Sequence, residues 1–96
     1  MTAVPGAPTL TANRSRRRGV QLNWTIPASN GSPITAYRIY RRTTSGAEIF
    51  LIEVGTGSTS YVDSSTARRA IYFYKITAVN RIGEGRFSNE ASARAR

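Results

Sequence analysis

Ala70-Ile-Tyr-Phe-Tyr-Lys-Ile-Thr-Ala-Val-Asn-Arg-Ile-Gly-Glu-Gly-Arg-Phe-Ser88 is the stretch that decides the fold. Side chains alternate across a β-strand with a period of two. Tyr72, Tyr74, Ile76 and Ala78 therefore share one face, and Phe73, Lys75, Thr77 and Val79 share the other. The first face is built for a core, the second for water or a partner. The strand runs into a loop holding Gly83 and Gly85, punctuation that reverses the chain. Upstream, Gly19-Val-Gln-Leu-Asn-Trp24 alternates in the same way and points Val20, Leu22 and Trp24, the single tryptophan, inward.

Working outward, alternation and turn residues place strands at 9–13, 20–25, 34–42, 48–54, 60–63, 70–80 and 88–93. A basic loop (Arg14-Ser-Arg-Arg-Arg18) follows the first, and a dense set of turn formers (Ser29-Asn-Gly-Ser-Pro33) follows the second. Residues 63–69 cross between sheets, and 81–86 form the last hairpin loop. In the third strand Tyr37 and Ile39 face the core, while Arg38, Tyr40 and Arg42 face out. Parity turns Arg41 inward, where its stem can cover apolar surface while the charge reaches water. No segment has a convincing helical period, and nothing repeats.

Pro5-Gly-Ala-Pro8, Trp24, Pro33-Ile34, Tyr37, Tyr72, Ala78-Val-Asn80, Gly83, Gly85 and Ser88, in this order and spacing, resemble a fibronectin type III domain over nearly the whole chain. The resemblance implies an all-β, seven-stranded antiparallel immunoglobulin-like sandwich of two sheets with no obligatory disulfide. It implies a domain over 8–93, an extended lead-in at 1–7, and a tail or linker start at 94–96. It also implies structural roles for Trp24, Tyr37, Tyr72, Asn80, Gly83 and Gly85. Tyr72 takes the place of the tyrosine corner, whose hydroxyl bonds backbone a few residues upstream, and the Asn80 amide bonds local backbone. Thr66 stands where the family usually has leucine, which weakens the expected anchoring of that loop. Tyr37-Arg-Ile-Tyr-Arg41, Gly55-Thr-Gly57, Ser60-Tyr-Val-Asp63 and the 72–80 run resemble the modules appended to secreted bacterial polysaccharide-degrading enzymes.

Ninety-six residues make one domain large enough to hold a core. The absence of cysteine leaves the redox compartment open. The apolar run Ile49-Phe-Leu-Ile52 is clipped by Glu48 and Glu53 and falls far short of the ~20 residues that span a bilayer. Met1-Thr-Ala-Val-Pro-Gly6 has neither the basic start nor the apolar stretch of a secretory signal, and reads as an excised domain with an added methionine.

Catalysis has little to stand on, because the chain lacks histidine and cysteine, the usual base, the thiol nucleophile and the common zinc ligands. Glu48 and Glu53 are an odd number of residues apart on one strand, so alternation sends them to opposite faces. Glu84 and Glu90, in or near the last hairpin, read as solvated surface acids. Gly55-Thr-Gly57 and Gly83-Glu-Gly85 read as turns needing positive φ, since no helix follows to make either a phosphate cradle. No catalytic residue, cofactor or metal site is expected, and the chain reads as no enzyme.

Charge remains. Fourteen basic residues against five acidic give a formal +9 and an isoelectric point near 11.3. Arg14, Arg16, Arg17 and Arg18 form one cluster and Arg68 and Arg69 another. Arg38, Arg42 and Lys75 are expected on one outer face with Tyr40 and Phe73, and this is the candidate contact surface. Rings and guanidinium forks together suit sugar stacking or an acidic polymer, whereas the plainer reading is that arginine only solubilises. Asn13-Arg-Ser15, Asn23-Trp-Thr25 and Asn30-Gly-Ser32 match the glycosylation acceptor pattern. The Arg-Gly-Asp tripeptide of some animal relatives is absent; the corresponding loop reads Arg81-Ile-Gly-Glu-Gly-Arg86.

Three functional classes stand at this point. One is a non-catalytic spacer or interaction module of a larger extracellular protein, favoured here as part of a secreted bacterial carbohydrate-active enzyme. Another is an adhesion or receptor module with a protein ligand. The third is a weak polyanion or carbohydrate binder through a basic face. Partners are then the neighbouring domains, with a polysaccharide or protein ligand; specific nucleic acid and membrane insertion are not expected, and the isolated chain is expected to be monomeric.

Overall fold

Alternating apolar residues become two antiparallel sheets packed face to face. The computed structural model describes residues 3–44 and 46–96. The strands are β1 (Leu10–Arg14), β2 (Val20–Trp24), β3 (Ala36–Arg42), β4 (Ile49–Gly55), β5 (Ser60–Asp63), β6 (Ile71–Asn80), β7 (Gly83–Glu84) and β8 (Ala91–Arg94). One sheet has the order β1-β2-β5; the other runs β4-β3-β6, with β7 and β8 both pairing with β6. Leu10, Val20, Leu22, Trp24, Tyr37, Ile39, Tyr74, Ile76 and Ala78 meet between them. Trp24 lies 5.3 Å from Tyr37, ring to ring. No helix of the described residues is long and apolar enough to cross a membrane.

Among the described residues eight strands replace the seven expected, because the last one is split. Val79 lies opposite Glu84, yet Tyr74 lies opposite Ala91, so seven steps along this edge run against five on β6. The surplus is absorbed between β7 and β8, inside the expected 81–86 loop and the start of the expected 88–93 strand. Ser88 keeps contact across the gap. Its N–H donates to the Ile76 carbonyl at 2.8 Å, and its Oγ accepts from the Ile76 N–H at 2.9 Å.

A second irregularity changes which residues face out. Ile39 pairs with Ile52 but Tyr40 pairs with Phe50, leaving Leu51 as a β-bulge. One extra residue reverses alternation beyond it. Glu48 and Glu53 were expected on opposite faces; both instead meet cations of the outer face, Glu48 at Lys75 and Glu53 at Arg38.

Arg41, expected to carry its charge to water, is half-buried, and a buried acid meets that charge. Its Nη1 lies 2.8 Å from Asp63 Oδ2 and 2.9 Å from Ser65 Oγ, and its guanidinium sits 5.0 Å over the Tyr72 ring. The Tyr74 hydroxyl donates to the same Asp63 oxygen at 2.7 Å. Burial alone would raise the Asp63 carboxyl, but hydrogen bonds from Ser65, Arg41 and Tyr74 outweigh it and hold it below the ordinary carboxylate value. Burial and the Asp63 charge push the Tyr74 phenol far up.

The segments near Ala3 and Arg96 are tied to the sandwich at opposite ends of it. Pro5 is buried, the Ala3 N–H donates to the Asn30 carbonyl at 3.0 Å, and the Ala3 carbonyl accepts from Asn80 Nδ2 at 2.8 Å. An added Cβ on Gly85 would fall 2.3 Å from the Pro5 carbonyl oxygen, so close approach explains this glycine where positive φ was expected. Gly55 and Gly57 also lack the positive φ expected of them, while Gly83 has φ +156°. At the far end Arg96 and Gly19 exchange backbone hydrogen bonds of 3.2 Å, and Ala95 is fully buried. Gly19, at φ +88°, is the residue that lets the β1–β2 turn press on β5, since a Cβ there would lie 1.9 Å from the Asp63 carbonyl oxygen.

Candidate functional site

The outer face of the larger sheet collects the five residues of the expected contact surface. Tyr40 lies opposite Lys75 and Arg42 opposite Phe73 across the β3–β6 pair, with Arg38 opposite Thr77. The charges of Arg38 and Lys75, however, are answered. Arg38 Nε lies 2.9 Å from Glu53 Oε1 and its Nη1 3.3 Å from Glu84 Oε1. Lys75 Nζ lies 3.7 Å from Glu48. The face expected to be basic therefore carries three carboxylates beside Arg38, Arg42 and Lys75.

Glu84 is the hub. Thr77 Oγ1 donates to its Oε2 at 2.6 Å, and the Tyr40 hydroxyl donates to the same oxygen. Partial burial would raise this carboxyl, but the bonds from Thr77 and Tyr40 and the Arg38 charge pull it below the usual value. Thr77 is thereby buried on a face that alternation assigns to solvent. Glu90 approaches Glu48 rather than Glu84, and its Oε2 accepts the Gly46 N–H at 2.8 Å. Burial first, and the Glu90 carboxylate second, raise the Glu48 carboxyl. Among the described residues no three histidine, cysteine or acidic side chains gather to hold a metal ion.

The aromatic part of the face differs from expectation as well. Tyr40 makes edge contacts with Phe50 at 5.9 Å and Phe87 at 5.0 Å, and Lys75 Nζ lies 5.5 Å over the Phe87 ring. Phe73 sits between Arg42 and Ser92 in the register, away from this trio. Phe50 and Phe87 are 55% and 52% exposed. A shallow cleft of about 340 Å³ opens between Arg38, Tyr40, Phe50 and Glu53. Phe50 escaped the sequence reading because the Leu51 bulge turns it outward, and Phe87 because it lies in the break between β7 and β8. Rings with paired charges around them suit stacking and directed hydrogen bonds, not attraction to a polyanion.

The residues given structural roles are placed by hydrogen bonds or packing. The Tyr72 hydroxyl accepts from the Ala67 N–H at 2.8 Å, five residues upstream. Thr66, at the departure from leucine, is buried, and its hydroxyl has no partner among the described residues. Asn80 reaches further than expected. Its Oδ1 accepts from the Ile82 and Gly83 N–H groups, while its Nδ2 donates to the Ala3 and Ser29 carbonyls and closes the end of the sandwich.

The sequence profile of the fibronectin type III domain matches residues 4–94. The chain belongs to the fibronectin type III family. Protein sidekick-1 of Gallus gallus is 30% identical over 83 residues, which are 85% of this chain and 4% of that protein. A fibronectin type III-like protein from Clostridium thermocellum superposes with a TM-score of 0.75 at 28% identity, covering 97% of this chain and 92% of the other. A β-1,2-glucanase from Parabacteroides distasonis contains a similar domain, with TM-score 0.79 and 26% identity over 98% of this chain and 13% of its own. Fibronectin type III modules thus sit inside much longer chains, bacterial enzymes and animal proteins alike, and are generally non-catalytic.

Proposed function

We propose that this fibronectin type III domain is a non-catalytic spacer and interaction module of a longer extracellular protein. The observation that carries the reading is the placement of the two chain ends. Ala3 is tied to the β2–β3 loop through Asn30, and Arg96 to the β1–β2 turn through Gly19. These loops flank β2 on opposite sides, so the chain enters at one end of a body 45 Å long and leaves at the other. Hydrogen bonds at each end resist hinging, and a rigid rod sets a separation that a flexible linker of similar mass does not.

A bacterial polysaccharide-degrading enzyme is the favoured setting, supported by the likeness to one segment of the Parabacteroides distasonis glucanase. In that setting the Tyr40, Phe50 and Phe87 rings offer a neutral stacking surface for a sugar. The likeness to sidekick-1 supports a second reading, an adhesion or receptor module whose same face meets a protein. Neither reading asks for catalysis by this domain. No hydrolysis of glycosidic, ester, peptide or phosphate bonds is expected, and turnover that survives repurification and vanishes in Glu84→Gln would refute this.

The spacer reading is tested by placing the domain between two folded reporter domains and measuring their separation by small-angle scattering. The expected result is one defined separation, larger than in a direct fusion by about the 45 Å long axis. A broad distribution like that of a glycine-serine linker of equal length would overturn it. Titrating neutral glycans into wild type and Phe50→Ala/Phe87→Ala tests the stacking face separately.

A further inference from the structure

The strand register lays two rows of side chains next to each other on the outer face. In one, Phe50 lies opposite Tyr40 and Tyr40 opposite Lys75, and Lys75 Nζ lies over the Phe87 ring. In the other, Glu53 lies opposite Arg38 and Arg38 opposite Thr77, and Thr77 Oγ1 donates to Glu84. Each row therefore runs across the strands, from β4 over β3 and β6 to the edge that carries β7 and the break after it. One row is mainly aromatic and the other is polar. The cleft lined by Arg38, Tyr40, Phe50 and Glu53 is the furrow between them on the β4 side.

The charges of the two rows are matched, Arg38 by Glu53 and Glu84, and Lys75 by Glu48. The excess of positive charge lies elsewhere, with Arg17, Arg18, Arg68 and Arg96 around a separate cleft. A face whose charges already cancel offers no complement to a charged ligand, and so fits a neutral one. The polar row still has hydrogen bonds to give. Arg38 commits Nε and Nη1 to the acids, and both it and Glu53 reach solvent, which leaves a guanidinium N–H and a carboxylate oxygen for hydroxyl groups.

We propose that this double row is a site for one extended chain of a neutral β-1,4-linked glycan lying across the strands, an inference that rests on the stacking face proposed above. Such a chain is flat and nearly straight, and its sugar units recur at close to the ~4.8 Å spacing of neighbouring strands. Each unit has apolar C–H faces and a rim of equatorial hydroxyls. The faces lie on the half-exposed Phe50 and Phe87, and the rim on one side bonds Arg38 and Glu53. The ring steps from Phe50 to Tyr40 and from Tyr40 to Phe87, 5.9 Å and 5.0 Å, each match about one sugar unit. Three units are then the shortest chain that reaches both phenylalanines. An α-1,4-linked chain coils and leaves a straight row.

The test is calorimetric titration of the whole chain with cello-oligosaccharides of two to six units and with maltohexaose, at low and raised salt. Affinity should rise steeply from the disaccharide to the trisaccharide or tetrasaccharide, then level off, and should not change with salt. Cellohexaose should bind ~10-fold or more tightly than maltohexaose, the worth of two ring contacts, and Phe50→Ala/Phe87→Ala should lose the same factor. Glu53→Ala should weaken cellohexaose binding, and Phe73→Ala, outside both rows, should bind like wild type. Equal affinity for the two hexasaccharides, lost for both in the double variant, would overturn the extended-chain site and leave the stacking face standing. Binding of neither would overturn both and leave the spacer reading to the scattering test. Undiminished cellohexaose affinity in a folded double variant would also overturn the proposal. Should the double variant unfold, amide shifts of wild type with cellohexaose decide: changes at 38–40, 50–53 and 84–87 support the site, and changes confined to either end of the sandwich refute it.

Discussion

At the scale of single residues, the informative side chains are polar groups held inside. Tyr72 keeps its ring packed and gives its oxygen to the Ala67 N–H. Tyr72→Phe removes only that bond, so it should destabilise by ~1–3 kcal/mol while leaving ligand binding unchanged, as urea unfolding and titration would check. Acid titration of stability follows from three carboxyls. Asp63 and Glu84 sit below their ordinary values in the folded state, so they add stability above the ordinary carboxylate range, about pH 4, and that stability is lost as pH falls through their depressed values. Glu48 sits above its ordinary value and works in the opposite sense. As pH falls from neutral through its raised value, folding gains, until the ordinary value is passed. The denaturant midpoint should therefore rise slightly on mild acidification and then drop below about pH 4. Glu48→Gln should abolish the rise, and Asp63→Asn should weaken the drop; a midpoint flat from neutral to strongly acid pH would contradict all three assignments.

At the scale of elements, two departures from regular pairing shape the outer face. The Leu51 bulge lets β4 present Phe50 on the same face as Glu53, and brings Glu48, just before the strand, against Lys75 there. Strict alternation, the only rule available along a sequence, puts 48 and 53 on opposite faces, and a bulge leaves no residue signature in Ile49-Phe-Leu-Ile52. The interrupted edge of β6 is the second departure. Ser88 bridges it by taking the Ile76 N–H on its hydroxyl and returning its own N–H to the same residue. Ser88→Ala leaves a buried amide unpaired and should lower stability by ~1–3 kcal/mol, with faster hydrogen exchange at Ile76. Exchange at Ile76 as slow as in wild type would show that water or backbone replaces the hydroxyl. Ser88 was legible as a family position, but its partner depends on a register slip that only the paired strands display.

At the scale of the whole molecule, one core and one charge distribution organise everything else. Trp24 is buried among Tyr37, Leu22 and Ile76 in the same cluster, so its fluorescence should be blue-shifted. Trp24→Ala should cost ~3–5 kcal/mol, most of the stability of a small domain; an unfolding midpoint near that of wild type would remove Trp24 from the core. The sequence alone determined the sandwich, the inward set from Leu22 to Ala78, the corner at Tyr72 and the excess of arginine. Each is a matter of period, composition or fixed spacing, which a chain carries before it folds. Only the tertiary structure decided where the charge is cancelled and where it accumulates. Acids separated from Arg38 and Lys75 by up to 46 residues are brought against them by sheet pairing. Arg17 and Arg68, read as belonging to separate clusters, come to share one cleft because the turn and the crossing meet at the same end of the sandwich. Distance through space, not along the chain, sets Coulomb attraction and repulsion, so the count of +9 was legible in the sequence and its partition into a balanced face and a basic end was not.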